Sequence, residues 1–130
     1  MNQIIHPIAG VYLGTTSAGI KKNGKTDMVV IELAEGTRTA AVFTQNRFCA
    51  APVTLAKQHL AETSPRLLMI NSGNANAGTG QPGMAAAQAT CELAASHQDY
   101  AANAVLPFST GVIGELLPVD KFQQLSFLEF

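Results

Sequence analysis

Apolar and polar positions along this chain follow two periods, one of strands and one of helices. Met28 to Leu33 reads MVVIEL and Arg38 to Phe43 reads RTAAVF. Both runs are short and rich in β-branched or aliphatic residues, which predicts strands. The link between them, Ala34-Glu35-Gly36-Thr37, holds a glycine, so the pair predicts an antiparallel hairpin. Leu67 to Ile70 is fully apolar and predicts a strand covered on both faces. Ala104 to Phe108 predicts another. Helical spacing appears three times. After Pro52, which suits a first helical turn, Val53, Ala56, Leu60 and Ala61 can share one face of a helix running to Glu62. Pro65 ends that helix. Met84 to His97 is dominated by alanine, with Met84, Ala87, Cys91 and Ala94 on one stripe. Side chains that small predict a helix lying close against a sheet. Pro118 opens a last helical pattern through Asp120, Lys121, Phe122, Leu125 and Leu128.

Between these runs lie two glycine-rich stretches. Gly10 to Gly24 reads as turns, with Lys21-Lys22-Asn23-Gly24 the clearest. Asn71 to Gly83 packs four glycines and three asparagines into thirteen residues and predicts a loop. Hairpin strands followed by alternating helix and strand argue for a mixed α/β fold, with helices layered on mixed sheet.

Composition narrows the class. With 130 residues, 47% hydrophobic and 13% charged, the chain has the apolar surface for one core and too little length for two domains. A net charge of −1 without long single-sign blocks makes nucleic acid and anionic membrane poor partners. No apolar run approaches the ~20 residues that span a bilayer. The start, Met1-Asn2-Gln3-Ile4-Ile5-His6-Pro7, lacks the pattern of a signal peptide, so a cytoplasmic location is expected. Cys49 and Cys91 read as small buried hydrophobes. His6, His59 and His97 are scattered, no pair has zinc-motif spacing, and His59 and His97 are expected at the surface. No metal site or cofactor is expected.

Two nucleotide-binding look-alikes fail on inspection. Gly73 to Gly78 has phosphate-loop spacing but continues Thr79-Gly80 where a lysine and a hydroxyl residue are required. Gly78-Thr79-Gly80-Gln81-Pro82-Gly83 matches G-x-G-x-x-G, yet it does not follow its strand directly, and Asp99 precedes a strand rather than following one.

Chemistry concentrates near residue 110. Ser109-Thr110-Gly111-Val112-Ile113-Gly114 follows an apolar run and sets a hydroxyl beside a glycine N–H. Two adjacent donors of that kind can converge on one developing negative charge. Several blocks then occur in a familiar order: Gly19-Ile20-Lys21-Lys22, Ala41 to Phe48 (AVFTQNRF), Ala50-Ala51-Pro52-Val53, Asn71 to Gly80 (NSGNANAGTG) and Ser109 to Gly114 (STGVIG). From about Gly10 to Lys121 the chain resembles the ornithine acetyltransferase family, the bifunctional glutamate N-acetyltransferases of arginine biosynthesis.

That resemblance implies a fold with helices layered over two central sheets. It implies a precursor that cuts itself in two, the second chain beginning with a threonine. That threonine takes an acetyl group from N-acetylornithine and passes it to glutamate, and some members also accept acetyl-CoA. A hydroxyl can be activated by its own free α-amino group. By position, Thr110 (hydroxyl) and Gly111 (N–H) are the catalytic residues here, as oxyanion donors. The implied partners are the two substrates and the threonine-led chain, in an α/β heterodimer or heterotetramer.

The family's processing segment, a small residue before Thr-Met-Leu, does not occur in these residues. The nearest echo, Ala89-Thr90, lies within a predicted helix. Residues 1–130 thus read as a single partial domain equivalent to the front of the family's first chain, with 122–130 departing from its pattern. Such a piece is expected to be inactive alone. It is also expected to leave apolar faces uncovered and to self-associate. The competing reading is a non-catalytic domain that binds a metabolite or a partner through the Asn/Gly loop.

Overall fold

The computed structural model describes residues 3–127, with the side chains of 126 and 127 left aside. Met1 and Asn2, and the end of the last helical pattern at Leu128, lie outside the described residues. Four strands form one mixed sheet in the order β1-β2-β3-β4. They are β1 (Val11–Thr16), β2 (Met28–Leu33), β3 (Leu67–Asn74) and β4 (Val105–Val112). The β1–β2 and β2–β3 pairs are antiparallel, while β3 and β4 are parallel. A parallel pair needs a crossover, and α2 (Gly80–Gln98) supplies it. The other helix, α1 (Ala51–Glu62), joins β2 to β3. A 3-10 turn, Ala102–Ala104, leads into β4, and a 3-10 segment, Val119–Phe127, closes the described chain.

The expected hairpin is not formed. Both edges of β2 are taken, one by β1 over six pairs from Val11↔Leu33 to Thr16↔Met28, the other by β3. Arg38 to Phe43 is therefore irregular, with Val42 almost wholly exposed. The strand that replaces it comes from the glycine-rich stretch, where Gly14 is buried opposite Val30.

One face of the sheet carries the core. Met28 and Val30 of β2, Leu67 and Met69 of β3 and Val105 of β4 cluster with Leu55 of α1. Ala87, Cys91, Ala94 and Ala95 of α2 and the distal Leu117, Phe122 and Leu125 complete the cluster. Alanines on α2 let its backbone approach the sheet, as the stripe predicts. Burial pushes the Cys91 thiol up to about 12, with the charge of Glu92 adding to the effect. β3 is not covered on both faces: Leu68 and Ile70 stay half-buried beside half-buried Val29 and Ile31, and Leu13 and Phe108 are exposed. The layer of helices sits on the Leu67–Met69 side.

Two further expectations are corrected. α1 begins at Ala51 and buries Pro52, Leu55, Ala56 and His59, while Val53 and Leu60 are half-buried and Ala61 is exposed. This stripe has i, i+3, i+4, i+7 spacing, so His59 is carried inward rather than to the surface. Its Nδ1 lies 2.8 Å from the Val105 carbonyl, which satisfies the buried ring. Cys49 is exposed, because it sits in the irregular approach to α1 rather than on an element. His97 is at the surface as expected.

Candidate functional site

The site is the far end of the parallel pair. β4 does not stop at Phe108; it continues through Ser109, Thr110 and Gly111 to Val112. β3 likewise runs past Ile70 to Asn74, so the first part of the expected loop is strand. Here the residues have poor strand propensity, and side chains do what propensity does not. Asn71 is buried and bridges the two strands: its Oδ1 accepts from the Ser109 hydroxyl at 2.5 Å, and its Nδ2 donates to the Asn74 carbonyl at 2.9 Å. Asn74 Nδ2 donates to the carbonyls of Glu115 and Leu116, each at 3.2 Å, and its Oδ1 accepts from the Asn76 N–H at 2.7 Å. Asn76 Nδ2 donates to the Gly83 carbonyl at 2.9 Å, and its Oδ1 accepts from Thr79 at 2.8 Å. Backbone bonds Ala75 N–H to Val112 O and Gly114 N–H to Ala77 O complete the tie. Asn71 thus ties β3 to Ser109, Asn74 ties it to the chain just past Gly114, and Asn76 ties the loop to the start of α2.

Pairing is regular to Gly73↔Gly111 and then slips, with Asn74 facing both Thr110 and Val112. Such a bulge re-aims the strand. Gly111 has φ +132, and a Cβ there would lie 2.5 Å from the Gly73 carbonyl carbon and 2.6 Å from the Asn74 nitrogen. Only glycine lets the two backbones come that close. Thr110 and Gly111 are adjacent and both exposed on this bulged end. The Thr110 hydroxyl forms no hydrogen bond among the described residues.

Two concavities lie nearby. One, of about 270 Å³, is bounded by Val42, Phe43, Pro52, Val53, Phe108 and Ser109 and is mainly apolar. The other, of about 420 Å³, lies between the Arg47–Cys49 approach and the turn from Gly78 into the start of α2. Ser109 reaches the first, whereas Thr110 and Gly111 line neither. No group of three His, Cys, Asp or Glu suited to a metal ion occurs among the described residues. No helix among them is long and apolar enough to cross a membrane.

The residue patterns alone did not point to Asp27. It is buried, and its carboxylate accepts from the N–H groups of Ala18 and Ile20 at 2.7 Å and of Lys21 at 2.9 Å. The only local hint is a lone acid between a run of lysines and an apolar strand.

Fold and site together define a mixed α/β domain that ends in a bulged pair of parallel strands bearing a hydroxyl and a glycine. A model described as the ArgJ family matches residues 12–126. The arginine biosynthesis bifunctional protein ArgJ of Methylococcus capsulatus is 59% identical over 117 residues, which cover 90% of this chain and 28% of that protein. The protein of the same name from Pseudomonas syringae pv. tomato is 57% identical over 119 residues, 92% of this chain and 29% of that one. Among solved structures, ornithine acetyltransferase complexed with ornithine from Mycobacterium tuberculosis matches with a TM-score of 0.87 at 35% identity. That match covers 92% of this chain and 66% of the other. The ArgJ structure from Bacillus halodurans gives 0.85 at 31%, covering 91% and 62%. The chain belongs to the ArgJ family. It spans under a third of the length of the curated relatives it matches.

Proposed function

We propose that this chain is the part of an ornithine acetyltransferase that supplies the oxyanion donors, Thr110 Oγ1 and the Gly111 N–H. The observation that carries the reading is their placement: side by side and exposed, on a strand end whose bulge Gly111 permits. Family membership supports the chemistry. A threonine at the head of a second chain attacks the acetyl carbonyl of N-acetylornithine, forming a C–O bond and pushing electrons onto the carbonyl oxygen. Thr110 and Gly111 donate to that oxygen while the C–N bond breaks and the ornithine amine takes up a proton. The resulting acetyl ester is then attacked by the amine of glutamate, and the threonine is regenerated. Pre-set donors aimed at developing charge commonly give the largest share of such catalysis.

In this reading the threonine-led chain completes the walls around the donor pair, which borders neither of the two concavities described. The half-exposed Val29, Ile31, Leu68 and Ile70 give that chain, within a heterodimer or heterotetramer, an apolar sheet face to cover. The reaction, on free amino acids, is placed in the cytoplasm. Alone, the chain is inactive and self-associates through the same face; a clean monomer at high concentration by light scattering would count against this. The decisive assay uses the chain assembled with its threonine-led partner. There Thr110→Ala lowers kcat by about 10² to 10³, the cost of one oxyanion donor, and Thr110→Ser retains most activity. An alanine variant with undiminished kcat would overturn the reading.

A further inference from the structure

We propose that Asp27 is a positioning residue for the Gly111 donor, a role that rests on the reading of Thr110 and Gly111 above. Asp27 stands immediately before β2, and its carboxylate is met by three peptide N–H groups, from Ala18, Ile20 and Lys21. Charge-assisted bonds of this kind are the strong class, and here they gather one tight turn around one buried anion. The main chain of Asp27 is fixed as well: its N–H donates to the Thr16 carbonyl at 3.3 Å, and its carbonyl accepts from the Ser72 N–H at 2.8 Å. The turn is thereby fastened to β3 one residue before Gly73.

The turn then presses on Gly73. A Cβ at Gly73 would stand 2.9 Å from Ile20 Cγ2 and 3.1 Å from Lys21 Cγ, so those side chains occupy the space above its α-carbon. Gly73 is in turn the register partner of Gly111 and the atom set against which Gly111 is wedged. The contacts form one stack: the Asp27 carboxylate, the Ala18–Lys21 turn, Gly73 and Gly111. Beyond Gly73 the ladder slips, so the path of Gly111 depends on a neighbour packed against this turn. A donor displaced by about 1 Å loses much of its catalytic value. Neutralising the carboxylate leaves an amide N–H aimed at peptide N–H groups, which loosens the turn and frees the bulge.

The test follows amide resonances of the full 130-residue chain labelled with 15N. Asp27→Asn shifts the amides of Ile20 and Lys21, and also those of Gly73 and Gly111. Leu125→Ala, a core variant of reduced Tm, leaves Gly111 in place and shows that general destabilisation does not produce the effect. Ile20→Ala keeps the carboxylate satisfied and removes the side chain beyond Cβ, including the Cγ2 methyl group above Gly73. It shifts Gly111 too, and carries the test if Asp27→Asn does not fold. A Gly111 amide that stays put in Ile20→Ala, or in a folded Asp27→Asn whose Ile20 and Lys21 amides move, overturns the proposal. Neither result touches the oxyanion reading, which stands or falls on the activity of Thr110→Ala.

Discussion

β3 and β4 each have two halves, and the halves are stabilised by different physics. Leu67 to Ile70 pairs with Val105 to Phe108, and the inward residues Leu67, Met69 and Val105 are buried in the core. Asn71 to Asn74 pairs with Ser109 to Val112, and its inward residues are Asn71 and a glycine, not hydrophobes. The first half is held by burial of apolar surface, which is non-directional and forgiving of shape. The second half is held by directed bonds from Asn71 and Asn74 and by close backbone contact at Gly73 and Gly111. Directed contacts fix a donor's position, and apolar burial does not. The strand therefore changes its means of support just before the proposed donor pair.

Substitutions in each half separate these contributions. Leu67→Ala removes a side chain that is 1% exposed and leaves a cavity, costing about 2–5 kcal/mol. Denaturant unfolding would show the midpoint falling with the slope unchanged, and a loss below 1 kcal/mol would mean the core half is not packed as described. Gly111→Ala strikes the other half. Its Cβ meets backbone at 2.5 Å and its φ of +132 is unfavourable for alanine, so the pair must part at a cost of about 2–4 kcal/mol. Unlike Leu67→Ala, it shifts the Gly73 and Asn74 amides strongly while leaving the Leu67 end of the ladder unchanged. Equal disturbance along both halves would erase the distinction drawn here. Asn71→Ala is milder than either, because it strands a Ser109 hydroxyl and an Asn74 carbonyl, at about 1–3 kcal/mol.

The same division explains what the sequence reveals. Unbroken apolar runs mark the apolar halves of β3 and β4, and 3.6-residue spacing marks the stripe of α2, because burial leaves its trace in neighbouring residues. Asn71 to Asn74 looks like loop because its strand form depends on partners such as Ser109 and Glu115, 38 and 41 residues away. β1 is hidden for a related reason: its Leu13 is exposed and its buried position is a glycine. His59 is misplaced by reading the α1 stripe from Val53 rather than Pro52. Thr110 and Gly111 are picked out by residue chemistry and by resemblance. The bulge, and the anchorage behind it through Asp27, become visible only with the chain folded.

The smallest predicted change in stability is at Thr110 itself. Its side chain is exposed and its hydroxyl has no partner among the described residues, so Thr110→Ala removes no buried contact. Loss of β-branching on an exposed strand position leaves the change within about 0.5 kcal/mol. Ser109, one residue earlier, is engaged with Asn71 and is not neutral in this way. A residue whose removal leaves stability intact yet abolishes most turnover in the assembled enzyme is acting on the substrate and not on the fold. If Thr110→Ala instead lowered stability by as much as Asn71→Ala, the hydroxyl would belong to the scaffold. The contrast between a supporting network and a free donor would then fail at the residue on which it depends.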